Sequence, residues 1–173
     1  MTPYFPTDEG TTWTYRLADR AVTVKVMKHE KQDGKPAARF ETLDKADVLA
    51  VQHVAVTDKA VERLTHNGDK VAPPLTLLQL PAAKGQSWAV DSKIVSPFGT
   101  EEIAGKFTTD DDDVKVPAGE YKKALRVTAD LKIGGKPATI VSWYAEKVGL
   151  VKQRVDIDGN EHEMVLEKFE LPK

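Results

Sequence analysis

The chain has 173 residues, no cysteine, 40% apolar and 30% charged residues, and a formal net charge of -2, the composition of an ordinary globular protein. The missing cysteines exclude disulfides, thiolate nucleophiles and Cys-ligated metal, and the near-neutral charge excludes whole-molecule attraction to nucleic acid or anionic membrane. One domain over 1–173 would bury roughly two-thirds of its unfolded surface, and no apolar run approaches the ~18 residues of a membrane-spanning helix.

Residues 11–29 alternate, with Trp13, Tyr15 and Leu17 on one face and Val22, Val24 and Val26 continuing after Ala18-Asp19-Arg20. This pattern predicts two antiparallel strands. Asp33-Gly34 predicts a hairpin turn into a third strand over 37–43, because such pairs supply the positive φ angles of tight turns. Residues 44–50 are the most helix-compatible stretch, yet Val48 to Val56 reads as a strand. Thr57-Asp58-Lys59 turns the chain into residues 60–64, and His66-Asn67-Gly68-Asp69 is a further hairpin signal.

Pro73-Pro74 is expected to break regular structure, since proline lacks a donor and restricts the residue before it. It marks the expected joint between halves at 1–72 and 75–173. The apolar segment Leu75 to Leu80 follows, and from Trp88 the chain alternates to Val95, turns at Ser96-Pro97-Phe98-Gly99 and runs through Phe107 into Asp110-Asp111-Asp112-Asp113. Tyr121 to Lys132 alternates again, Gly134-Gly135 turns it, and residues 138–145, 148–157 and 163–171 complete a meander. No segment sustains a 3.6-residue period, so helices are expected to be few and short.

Two halves are also suggested by repetition. Pro6-Thr-Asp-Glu-Gly10-Thr-Thr-Trp13 and Pro81-Ala-Ala-Lys-Gly85-Gln-Ser-Trp88 share one spacing, Gly34-Lys-Pro-Ala37 recurs at Gly135-Lys-Pro-Ala138, and Asn67-Gly68 has a counterpart in Asp158-Gly159. The expected architecture is an all-β, strongly curved antiparallel sheet, a half-barrel or open barrel of about ten strands, built from two divergent repeats.

Chemical motifs are sparse. No nucleophile elbow, phosphate-binding loop or dinucleotide fingerprint is present, so neither catalysis nor a cofactor is expected. Asp110, Asp111, Asp112 and Asp113 form the one candidate calcium site, although alternate residues of a strand face opposite ways. A solvated acidic edge that discourages intermolecular pairing explains the same residues. Asp156-Ile-Asp158-Gly159-Asn160-Glu161 fails the register of a calcium-binding loop and reads as a turn, and His29, His53, His66 and His162 stand singly.

Tyr4-Phe5-Pro6, Gly10, Trp13 and Tyr15, with Val114-Lys-Val-Pro-Ala-Gly119-Glu-Tyr121 and Ser142-Trp-Tyr-Ala-Glu-Lys-Val-Gly-Leu-Val-Lys152, resemble a family of uncharacterised bacterial exported proteins and lipoproteins. Glu120 and Glu146-Lys147 depart from its pattern. The resemblance implies an envelope or secreted location and a fold similar to lipoprotein carriers or lipocalin-like half-barrels, although residues 1–15 themselves carry no export signal. A curved sheet with a concave apolar face suits a hydrophobic small molecule or lipid as partner. Trp13, Tyr15, Trp88, Trp143 and Tyr144 are the candidate ligand contacts, with plain core as the competing role. The alternative function is a structural or protein-interaction module with no ligand.

Overall fold

A computed structural model describes residues 2–173. Twelve antiparallel strands follow one another around a closed barrel, each paired with its neighbours in sequence, and the last pairs with the first. They are β1 (Thr12–Leu17), β2 (Arg20–Gln32), β3 (Lys35–Asp44), β4 (Asp47–Val56), β5 (Ala60–His66) and β6 (Asp69–Gln79). Then come β7 (Ser87–Ser96), β8 (Gly99–Val116), β9 (Gly119–Ile133), β10 (Lys136–Ala145), β11 (Gly149–Ile157) and β12 (Asn160–Glu170).

This corrects the expectation in three respects. The sheet is closed rather than a half-barrel, it has twelve strands rather than about ten, and no helix occurs among the described residues. Closure comes from β1 meeting β12, in register from Thr12 opposite Glu170 to Leu17 opposite Met164. No local pattern announces a pairing between the two ends of a chain, and closure removes the exposed edges that an open sheet would have to protect.

Pro73-Pro74, expected to break regular structure, lies inside β6 and does not end it. Between Arg63 opposite Leu75 and Thr65 opposite Lys70, the segment Val71 to Pro74 loops out of register with β5. On its other side β6 meets β7 only at Lys70, Val71 and Ala72. The prolines therefore occupy a stretch where no ladder donor is called for, the one context in which a strand accepts them. Past Ala72 the registered ladder stops, leaving a seam in the backbone pairing between Leu75–Gln79 and the start of β7.

A second departure from a plain cylinder is the β8–β9 arm. Beyond Thr108, β8 has β9 as its sole strand partner, and the tip of the hairpin turns back onto β12, where Ala118 N–H donates to the Leu166 carbonyl at 3.0 Å. At Gly105 the arm passes so close to its neighbour that an added Cβ would lie 2.0 Å from the Asp130 carbonyl oxygen. Glycine is thereby fixed by space as well as by its φ of +153°.

The main core fills the barrel interior, with Trp13, Phe40, Trp88, Phe107 and Tyr144 among its large side chains. The segment before β1 folds across one end of the barrel as a stopper. Phe5 packs edge-on against Phe40 with ring centroids 5.6 Å apart, and Lys147 N–H donates to the Pro3 carbonyl at 2.7 Å. Gly149 makes room for it: at φ +92° it has no side chain, and a Cβ there would stand 3.0 Å from Pro6 Cδ.

Candidate functional site

An eight-stranded barrel is about filled by its own side chains, whereas a larger one leaves space. Here the space is a hollow of about 360 Å³. Its wall is mostly apolar, with Phe5, Trp13, Phe40, Leu75, Phe107 and Ile140 among the lining side chains. Period-2 alternation delivers these residues, since one face of every strand points inward.

A smaller polar group interrupts the apolar lining. Gln52 of β4, Arg63 of β5, Ser142 and Tyr144 of β10 and Gln153 of β11 all reach the hollow. Arg63 Nε–H donates to Gln52 Oε1 at 2.8 Å, and Gln153 Nε2–H donates to Ser142 Oγ at 3.0 Å. Burial lowers the Arg63 pKa, an effect that the Tyr144 phenol beside it partly opposes. Burial likewise raises Tyr144, with Arg63 and the neighbouring Ser142 hydroxyl pulling the other way. Tyr15 is raised furthest, by burial first and by Tyr144 second, and its hydroxyl donates to the Leu150 carbonyl at 2.7 Å.

Of the aromatic residues singled out in sequence, Trp13, Tyr15 and Tyr144 line the hollow. Trp13 is anchored by its indole N–H, which donates to the Val148 carbonyl at 2.6 Å, and its ring lies 5.7 Å from that of Phe169. Trp88 and Trp143 do not reach the hollow. Trp88 stacks on Phe107 at 5.3 Å and donates its indole N–H to Thr76 O at 3.1 Å, across the β6–β7 seam. Trp143 turns the other way. Its indole N–H donates to Asp112 Oδ2 at 3.1 Å, and the Lys152 ammonium sits 5.0 Å from its ring, a favourable cation–π placement.

The aspartate run lies on the β8–β9 arm, along the side of β8 that β7 no longer covers. Asp110 and Asp112 both face Arg126, at 3.5 and 3.3 Å. Asp111 approaches Lys84 at 3.9 Å, and Asp113 accepts from Lys123 N–H at 2.9 Å. The run is thus divided among separate cations of the protein. Among the described residues, no three His, Cys, Asp or Glu side chains converge as metal ligands.

His53, buried on β4, is held at both ring nitrogens, Nδ1 by Thr65 Oγ1 at 2.7 Å and Nε2 by Glu30 Oε1 at 2.5 Å. That contact, together with Lys28, lowers the Glu30 carboxyl below its usual range.

No protein-family profile and no curated protein matches the chain. Two solved structures follow its course over nearly the whole length. One, a "putative lipoprotein" from Parabacteroides distasonis ATCC 8503, is 15% identical with a TM-score of 0.59, covering 98% of this chain and 99% of that one. Another, a "putative exported protein with YmcC-like fold" from Bacteroides fragilis NCTC 9343, is 16% identical with a TM-score of 0.58, covering 99% and 100%. What they share with this chain is the fold.

Of the lining residues, sequence reasoning named Trp13, Tyr15 and Tyr144 and missed Phe5, Phe40, Phe107 and the polar group. Arg63 carried a signal, because it stands in phase with Val61 on an alternating strand, and a charge on the inward face of a strand is out of place unless it has work there. Gln52, Ser142 and Gln153 carried none, since polar residues of that kind are ordinary on either face.

Proposed function

We propose that the chain is a non-catalytic protein of the bacterial envelope or of the secreted fraction that holds a hydrophobic or amphipathic small molecule inside its barrel. The observation that carries this reading is the hollow of about 360 Å³ walled by aromatic and aliphatic side chains, at the lower end of the roughly 300–1,000 Å³ of small-molecule sites. Trp13, Tyr15 and Tyr144 are the aromatic contacts it assigns to the ligand. The lipoprotein and exported protein that share the fold support the location. Native mass spectrometry of protein purified from its own host, with solvent extraction in parallel, tests it. A co-purifying molecule released on denaturation is the expected result; an unliganded protein that also takes up no aliphatic probe would refute it.

Interaction with a protein partner is the second reading. It rests on Phe98, which is 99% exposed at the tip of the β7–β8 hairpin.

Descent from a duplicated six-strand unit belongs to the same proposal. Trp13 and Trp88 are each the second residue of their strands, β1 and β7, and the turns at Asn67-Gly68 and Asp158-Gly159 follow β5 and β11, both offsets being six strands. Against it, the Gly34 turn precedes β3 and the Gly135 turn precedes β10. That offset of seven strands puts the two Gly-Lys-Pro-Ala tips at opposite ends of the barrel.

A further inference from the structure

The Arg63 side chain enters a mostly apolar hollow with its charge unpaired. Among the described residues its single hydrogen bond runs from Nε to the neutral Gln52 amide oxygen, and no carboxylate forms an ion pair with it, although surface arginines such as Arg16, Arg39 and Arg126 all have one. Among the described residues Nη1 and Nη2 have no acceptor on the protein, and the Arg63 side chain lines the hollow. A guanidinium keeps its proton under any physiological condition. Arg63 is half-buried, so part of its hydration is lost without an anionic partner on the protein to offset it. An anionic ligand would supply the missing counter-charge.

Building on the binding function proposed above, we infer that the hollow takes a single-chain amphiphile with a carboxylate head, whose two oxygens pair with Nη1 and Nη2 of Arg63 while its tail lies against the apolar wall. The fork of donors on a guanidinium matches the two oxygens of a carboxylate. Gln52 occupies Nε, which leaves Nη1 and Nη2 as the donors available to a ligand. Gln153, Ser142 and Tyr144 stand around the same space and supply polar atoms to the edge of the head group. Leu77, Ile103, Val127, Leu131 and Ile133 continue the wall on the apolar side. The volume of about 360 Å³ is on the scale of one acyl chain.

Isothermal titration of the full chain with decanoate, 1-decanol and decyltrimethylammonium tests the head-group assignment, because the three probes share a tail and differ in charge. Decanoate is expected to bind at least tenfold more tightly than decanol, and the cationic probe to bind worst. Arg63→Met should remove the preference, weakening decanoate about tenfold or more while decanol binds as well as before or better. It should also leave the melting temperature of the ligand-free protein unchanged or raised, as expected when a half-buried unpaired charge is replaced by an apolar chain of similar length. A scaffolding role for Arg63 would instead lower that temperature. Equal binding of decanoate and decanol to the unaltered protein, or a preference that survives in Arg63→Met, overturns the inference and leaves the binding function standing. Failure of all three probes to bind overturns both.

Discussion

The wall of the barrel is joined twice at places where the same sequence motif arrives, and the two joints are made differently. At the β12–β1 joint, Trp13 enters beside a ladder that runs the whole length of β1, so backbone pairs hold the strands, and the indole, bonded to the Val148 carbonyl away from that joint, lines the hollow. At the β6–β7 joint, the ladder stops after Ala72 opposite Lys93, and the Trp88 indole reaches across the gap to the Thr76 carbonyl. A Pro-x-x-x-Gly-x-x-Trp segment thus fixes where a tryptophan enters a strand. What the tryptophan then does differs with the backbone ladder beside it, which is complete along β1 and stops just before Pro73-Pro74 in β6.

The largest expected effect separates the two joints by packing. Trp13→Ala removes a side chain that packs near Phe40 and Phe169 and bonds the Val148 carbonyl, and should destabilise the protein by about 3–5 kcal/mol, measured by urea denaturation. A loss below 1 kcal/mol, on the order of an exposed substitution, would mean that the backbone ladder alone carries the joint. Gly149→Ala attacks the same region through the backbone. Its φ of +92° and the 3.0 Å approach to Pro6 Cδ predict a cost of about 1–3 kcal/mol, with faster proteolysis of the first ten residues as the stopper lifts.

A pH dependence belongs to the β12–β1 side as well. Burial raises the Tyr15 phenol well above its ordinary value of 10.0 and raises Tyr144 too. The unfolded chain therefore loses these protons first as pH rises. Above pH 10.0 the folded state binds more protons than the unfolded one, so its stability is complete below that pH and falls as pH climbs toward the raised values. Tyr15→Phe should make the alkaline decline shallower in denaturation curves recorded at successive pH values. An identical slope in the variant would show that Tyr15 is not the group being titrated.

Smaller effects distinguish the seam. Trp88→Phe keeps a ring on Phe107 but deletes the bond to Thr76, which predicts a loss of about 1 kcal/mol. Hydrogen exchange should accelerate at residues 75–79 and 87–92 while β1 and β12 keep their protection. Uniform acceleration around the barrel would erase the distinction between the joints. Least of all, Thr11→Val should be neutral or stabilising by up to about 1 kcal/mol, because Thr11 Oγ1 is buried with no partner and an apolar group of that shape leaves nothing unsatisfied. A marked loss would reveal a hydrogen bond to bound water at the foot of β1.

By itself the sequence determined the strands, the turns and the inward aromatic face. Period-2 alternation and Asp-Gly or Asn-Gly turns are local chemistry, legible in β1 to β5 and again in β7 to β12. The tertiary structure decided what has no local signature: that β1 returns to β12, that β6 continues through two prolines, and that Trp143 packs outward under Asp112 while Tyr144 lines the hollow. It also decided that Arg63 faces inward without a counter-charge. Closure and charge pairing are relations between residues far apart in the chain, and an alternating pattern names the two faces of a strand without saying which other strands will meet them.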